Sequence, residues 1–370
     1  MAGRIVLFGA TGYTGELTAR ALLDQGARPV LAARHEGPLR TLAEELGGLE
    51  WALANVTDPP SIRGLLERGD VLVSTVGPFV RLGGPAVRAA TDAGAHYIDS
   101  TGEGSFIREV FEVHGPRARG AGCGLLTAFG YDWVPGNLAG GLALRDAGPE
   151  ARSVEIGYFF TGERGGADSA SGGTRASLMG AMLDPGFAFR DHALRTERPG
   201  RRLREFELSP GRRSQAISVP SSEHLALPRL SPSLSDVDVY LGWFGPASRV
   251  AQGLSAGMEA IARIPGAKDA LARLVERFVK GSTGGPDATA RARSGSLVLA
   301  EALDAGHRPL ASVRLEGVNG YDFTARVLAW GARAAAAGGL RGIGALGPVD
   351  GFGLDALTAG CAEAGISRVG

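Results

Sequence analysis

The chain has 370 residues, enough for two domains with separate cores. Its 39 Lys+Arg balance 39 Asp+Glu, so no net field gathers nucleic acid, and no basic-aromatic interleaving suggests it. Cys123 and Cys361 lie far apart with no CxxC, and the six histidines make no HxxxH or HExxH pair, which excludes a disulfide framework and leaves no visible metal site.

Arg4-Ile5-Val6-Leu7-Phe8 reads as a buried strand, and Gly9-Ala10-Thr11-Gly12-Tyr13-Thr14-Gly15 as a glycine turn. Residues 16–25 continue as a helix, and a second apolar strand over 29–33 ends at Arg34. A phosphate at a helix N-terminus needs bare backbone N–H groups, which closely spaced glycines allow. The turn sits between strand and helix, so it predicts a dinucleotide site built on Gly9, Thr11, Gly12, Tyr13, Thr14 and Gly15. NAD sites carry an Asp or Glu at the end of the second strand to hold the ribose 2′-OH. Here Ala33, Arg34 and His35 stand there, with Arg40 further on. A guanidinium fork suits a 2′-phosphate, so the expected cofactor is NADP(H), held through Arg34 and His35.

A strand over 50–55 and a helix over 60–68 follow, then the clearest strand of the chain, 70–76. At its end Gly77-Pro78-Phe79 is expected to run along the cofactor, Gly77 admitting close approach and Pro78 stiffening the loop. An ordinary strand exit explains the same residues. A helix over 85–93 leads to a strand at 96–99, and the loop from Tyr97 to Glu103 carries groups able to move a proton where chemistry is expected. Tyr97 is a candidate for substrate contact and Glu103 for catalysis, although Glu103 equally suits capping a helix starting near Ser105. A helix over 106–119 and a strand over 124–128 complete six strands of a doubly wound sheet, whose ligands sit at the strands' carboxyl ends. Tyr131 and Asp132 follow that last strand and are candidate proton donors. The competing assignment gives Asp132 to a helix cap and Tyr131 to packing.

Past Pro135 the rhythm changes. Strands are expected over 152–160, 202–208 and 237–243, helices over 174–183, 247–263 and 268–280, and a hairpin from 291–303 and 309–316 across Asp304-Ala305-Gly306-His307. The chain's two lysines, Lys268 and Lys280, lie in a helical, charge-rich stretch, so a Schiff-base or P-loop lysine is not expected. Ser171-Gly172-Gly173-Thr174 opens the 174–183 helix and, with Arg175, is the candidate substrate-binding segment, able to hold a carboxylate or phosphate. A plain N-cap is its alternative. Arg190, Arg195, Arg198, Arg201, Arg202, Arg204, Arg212 and Arg213 crowd one stretch that reads first as a solvated face and second as a surface steering an anionic partner. An Ala-rich helix over 323–337 and a tail over 339–353 with a helix at 354–364 are expected to return to the first domain.

The expected class is therefore α/β. A Rossmann doubly wound parallel sheet occupies 1–130, an α+β substrate domain 131–325, and a helical segment 326–370 packs back on the Rossmann domain. The N-terminus enters a strand without a charged leader and cleavage site. The longest apolar stretch, 327–340, is broken by Arg333 and too short to span a bilayer. Both features lead us to expect a cytoplasmic protein, and a homodimer is compatible with the sequence.

The ordered segments Gly9-Ala10-Thr11-Gly12-Tyr13-Thr14-Gly15, Gly77-Pro78-Phe79 with Gly83-Gly84, His96-Tyr97-Ile98-Asp99-Ser100-Thr101-Gly102-Glu103, Gly130-Tyr131-Asp132-Trp133-Val134-Pro135 and Ser171-Gly172-Gly173-Thr174 carry a resemblance. The chain resembles the saccharopine dehydrogenase-like oxidoreductases, most closely the trans-acting enoyl reductase subgroup. The match covers the N-terminal half, and the C-terminal half matches only loosely. The resemblance implies NADPH-dependent reduction of a polarised double bond, such as an enoyl thioester of a lipid or polyketide pathway, held on coenzyme A or a carrier protein. Tyr131, Asp132 or water would then protonate the α-carbon. Two other functions stay open: an imine reductase or amino-acid dehydrogenase acting on C=N, with Arg175 as carboxylate clamp, and a non-catalytic NADPH-binding regulator. The short-chain dehydrogenases share a similar first turn but need a tyrosine four residues before a lysine, and no tyrosine here has one.

Overall fold

A computed structural model describes residues 3–162, 186–243, 245–262 and 284–369. Its contacts divide the chain into two compact units: Met1–Gly102 with Phe106–Val134 and Val318–Ile366, and Glu103–Ser105 with Pro135–Gly317 and Ser367–Gly370.

The first unit is built on strands β1 Ile5–Phe8, β2 Val30–Ala33, β3 Trp51–Leu53, β4 Val71–Ser74, β5 His96–Asp99 and β6 Gly124–Leu126, alternating with helices α1 Tyr13–Asp24, α2 Glu36–Glu45, α3 Pro59–Arg63, α4 Phe79–Ala93, α5 Gly104–Glu109 and α6 Gly115–Ala121. All of the pairings are parallel, and the spatial order is 3-2-1-4-5-6 with the short strand β15, Gly344–Ala345, added beside β6. This is the doubly wound dinucleotide-binding order. Parallel strands covered on both faces read as unbroken apolar runs, and every residue of β1, β2 and β4 is buried. The C-terminal segment returns to this unit. The helix Gly320–Ala336 lies along α1 and buries Phe323, Val327 and Leu328.

Several boundaries differ from the sequence reading, and two helices show physical reasons. Helix α4 starts at Phe79, not near 85, because Pro85 is carried inside the helix rather than at its first turn, where proline is best tolerated. The continuous helix expected over 106–119 is interrupted by a π-helical turn, Val110–His114.

The second unit is α+β. Helix α7, Val134–Ala147, leads into a mixed sheet of strands β7 Ser153–Gly162, β8 Phe187–Arg190, β9 Ala193–Thr196, β10 Leu203–Ser209, β11 Arg212–Ser218, β12 Asp236–Leu241, β13 Ser294–Leu303, β14 Pro309–Gly317 and β16 Ile366–Arg368. Their order is β10-β11-β12-β7-β13-β14-β16, with a β8–β9 hairpin on β12. Strand β7 pairs with β13 along its whole length, and Phe159, Phe206, Tyr240 and Leu297 close a core over the sheet. Among the described residues no helix is long and apolar enough to cross a membrane.

Candidate functional site

Strand β1 delivers the chain into Gly9 with φ +91°, a left-handed conformation that L side chains resist. A Cβ on Gly9 would lie 2.7 Å from Thr75 Oγ1, and one on Gly15 would lie 2.1 Å from the Gly9 carbonyl oxygen. Glycine at these two places lets the turn fold against β4 and lets α1 start close behind it. The Gly12 amide donates to the Gly9 carbonyl at 2.9 Å. Gly12 caps α1 without any side-chain hydrogen bond, so the first-turn N–H groups are left for an external acceptor. Thr11 is exposed, Tyr13 and Thr14 are half-buried, and Tyr13 meets Tyr321 edge-on at 5.2 Å.

At the end of β2, Arg34 and His35 are both exposed, and His35 occupies the N-cap of α2 without using its side chain. Arg40 is drawn to Glu44 at 3.9 Å, whereas Arg34 has no hydrogen-bond or ion-pair partner among the described residues. A glycine cradle that a Cβ would fill, uncapped helix amides and an unpaired guanidinium are the donor set that a pyrophosphate and a 2′-phosphate require.

Gly77 is exposed at the end of β4, Pro78 caps α4, and Phe79 turns inward, 6% exposed, against Phe106 at 5.8 Å. The backbone of Gly77 is therefore open at the strand end, while the Phe79 ring is committed to packing.

The ends of β5 and β6 hold the titratable groups. Tyr97 is fully buried within β5, and burial beside Asp99 pushes its phenol well above the usual range. Asp99 is also fully buried. Its Oδ1 accepts from the amides of Thr101 and Ala128, each at 2.9 Å, and its Oδ2 accepts from Thr127 Oγ1 at 2.9 Å. Burial raises this carboxyl to about 6 against the lowering effect of those donors. Asp132 has no such donors. Its Oδ1 is enclosed without a partner among the described residues, and burial alone raises the group to about 7. A Cβ on Gly102 would stand 3.0 Å from Asp132 Oδ2, so glycine there leaves room for the carboxyl. Tyr131 is 5% exposed. Its amide donates to Thr324 Oγ1 at 2.9 Å, and its ring packs on Phe323 with centroids 6.5 Å apart.

Glu103 is buried directly before α5 and belongs to the second unit. Ser171, Gly172, Gly173, Thr174 and Arg175 lie outside the described residues. Sequence reasoning did not single out Asp99 or Thr324. A carboxylate ending a buried strand was the available signal for Asp99, whereas Thr324 lies far off in sequence and gave none.

In the second unit the arginine-rich stretch is divided. Arg190 is buried and paired with Asp238, with Nη1 2.8 Å from Oδ2, and Arg202 reaches Glu197 at 3.3 Å. Arg204 pairs with Glu155 and Glu301 and lies 4.5 Å over the Phe206 ring. The continuous solvated face read from the sequence is thus reduced to Arg195, Arg201, Arg212 and Arg213, which are exposed.

With this geometry in hand, residues 5–118 match the family described as saccharopine dehydrogenase NADP binding domain. Over 140 residues the chain is 38% identical to the trans-acting enoyl reductase of Mycobacterium ulcerans, covering 36% of this chain and 34% of that protein. The protein of the same name from Mycobacterium leprae is 39% identical over a stretch of equal length. The chain thus spans about a third of the length of these relatives, 34% of each. Among solved structures, the apo saccharopine dehydrogenase (L-Glu forming) of Saccharomyces cerevisiae superposes over 100% of both chains with a TM-score of 0.60 at 12% identity, a likeness of fold.

Proposed function

We propose that the chain, whose residues 5–118 match the family described as saccharopine dehydrogenase NADP binding domain, is an NADPH-dependent reductase of a polarised double bond, with an α,β-unsaturated thioester as substrate. The observation that carries this reading is Asp132. Its carboxyl lies at the carboxyl edge of the parallel sheet, has an enclosed, unpartnered oxygen, and titrates near neutrality. A group poised there can hold a proton at working pH and release it.

Bound NADPH supplies the hydride. The first-turn amides of α1 would hold its pyrophosphate and Arg34 its 2′-phosphate. Asp132 would hold the proton destined for the thioester α-carbon, and solvent would reprotonate the carboxylate once that proton is given up. Asp99 holds the loop after β6 through Thr127 and Ala128. The second unit is assigned to the acyl substrate. Coenzyme A and phosphopantetheine carriers are anionic, which suits the exposed Arg195, Arg201, Arg212 and Arg213. The mycobacterial relatives are named trans-acting enoyl reductases, which supports the enoyl substrate.

The test is NADPH oxidation by the purified protein on crotonyl-coenzyme A and longer enoyl thioesters. Reduction is expected, with cofactor deuterium at the β-carbon and solvent deuterium at the α-carbon. Asp132→Asn should lower kcat by about 10²-fold or more while NADPH affinity is kept. Oxidation seen only with an amine and a 2-oxo acid would replace this reading by C=N reduction. Tight binding without turnover on either panel would leave a cofactor-binding regulator.

A further inference from the structure

The loop Thr127–Asp132 is fastened at both ends. At its start, the Asp99 carboxylate takes Thr127 Oγ1 and the Ala128 amide, and the Asp99 carbonyl oxygen accepts the Phe129 amide at 2.7 Å. At its other end the Tyr131 amide, one residue before Asp132, donates 2.9 Å to Thr324 Oγ1. That hydroxyl in turn donates to the Gly320 carbonyl at 2.7 Å, which fixes its rotamer in the first turns of the helix Gly320–Ala336. Two glycines make the approach possible. A Cβ on Gly130 would lie 3.0 Å from Thr324 Cγ2, and one on Gly320 would lie 3.0 Å from the Tyr131 ring. The same helix turn carries Tyr321, which meets Tyr13 of the glycine turn. One helix start therefore touches both the phosphate-binding turn and the loop that bears Asp132.

We propose that Thr324 is the positioning residue for Asp132, its hydroxyl fixing the loop after β6 to the start of the helix Gly320–Ala336. This rests on the reading of Asp132 as proton donor, and it adds a residue from the opposite end of the chain to that site. Thr324 touches no reacting atom. It acts by holding the neighbouring amide, so that the Asp132 carboxyl stays against Gly102 with Oδ1 enclosed.

The experiment follows the Asp132 carboxyl by ¹³C NMR in full-length, aspartate-labelled protein, assigned through Asp132→Asn, with NADPH affinity measured alongside. Wild type should titrate near neutrality. Thr324→Val keeps the shape of the side chain but removes the acceptor, and should move the titration down by about one unit or more as water reaches the carboxyl. Thr324→Ala should do the same, and Thr324→Ser should restore the wild-type curve. NADPH affinity should stay within about threefold in all of them, and kcat on an active thioester should fall about 10-fold at nearly constant KM for Val and Ala only. An unmoved titration in both Val and Ala, or a Ser variant that behaves like them, overturns the proposal. The expected titration shifts with no turnover on any thioester would overturn the enoyl reading and leave the positioning role in place.

Discussion

Arg34 and Asp132 are the residues whose chemistry is most exposed to test. Arg34 stands at the end of β2 without a partner among the described residues, while Arg40 nearby is engaged by Glu44. A charge-assisted bond to the 2′-phosphate is worth about 1.5–3 kcal/mol, so Arg34→Asp should weaken NADPH at least about 10-fold more than NADH. Equal losses in fluorescence titrations with the two coenzymes would remove Arg34 from the site. Asp132 makes a second prediction through linkage. Its carboxyl is raised from 3.8 to about 7, so between those values the folded chain keeps a proton that the unfolded chain has released. Stability from this group is full below about pH 4 and declines as pH rises towards 7, by about 1 kcal/mol per pH unit. Buried His224, lowered to about 4, slopes the other way below its ordinary value, because there the unfolded chain takes up the proton. The wild-type curve mixes both slopes, but its difference from Asp132→Asn isolates the carboxyl. Urea denaturation at pH 4.5 and pH 7 should show the variant gaining stability relative to wild type at the higher pH. A pH-independent difference would mean that Asp132 titrates normally.

Helix endings show what the sequence discloses and what it hides. Helices α4 and α6 both stop at left-handed glycines, Gly94 at φ +68° and Gly122 at φ +75°. Arg68 serves both ends: its Nη1 donates to the Ala121 carbonyl at 2.9 Å, and its Cζ lies 2.9 Å from where a Gly94 Cβ would stand. Gly94→Ala must therefore carry left-handed strain at the end of α4 and displace a guanidinium bonded to the carbonyl end of α6. Gly26, with φ +79° and open space around it, carries the strain alone. Thermal unfolding should place Gly94→Ala about 1 kcal/mol below Gly26→Ala, and equal losses would show that displacing Arg68 costs nothing. The parallel strands were legible because burial on both faces leaves continuous apolar runs, as in Val71-Leu72-Val73. The 294–303 and 309–317 hairpin was legible from its turn, closed by Asp304 bonds to the amides of Gly306 and Arg308. Strands β8 and β9 were not, because Arg190 and Arg195 break their alternation and Arg190 is buried only by virtue of Asp238, a partner 48 residues away. The site divides in the same way. The glycine turn is a local pattern, whereas the contact between Tyr131 and Thr324 spans 193 residues and depends on the fold.

The first unit is discontinuous: the chain leaves it after Val134 and re-enters at Val318. The returning part is not decoration. Its helix buries Phe323, Val327, Leu328 and Ala332, its short strand Gly344–Ala345 extends the parallel sheet beside β6, and its Tyr321 and Thr324 contact the glycine turn and the loop after β6. Removal of such a helix strips several large apolar groups of their cover, each worth about 1.5–3 kcal/mol, more than a domain's usual margin of stability. A fragment ending at residue 134 should therefore lack cooperative unfolding and bind no NADPH. Joining residue 134 to residue 318 through a flexible linker of about ten residues, with 135–317 excised, restores the missing elements. The ends to be joined lie close, since Tyr131 already packs against Gly320. That excised protein should melt cooperatively and bind NADPH within about tenfold of the full chain, because the amides of α1 and Arg34 all belong to the retained unit. Binding by the fragment ending at 134 would show that the returning segment is dispensable for the cofactor site. Loss of binding in a cooperatively folded excised protein would place part of the NADPH grip in residues 135–317.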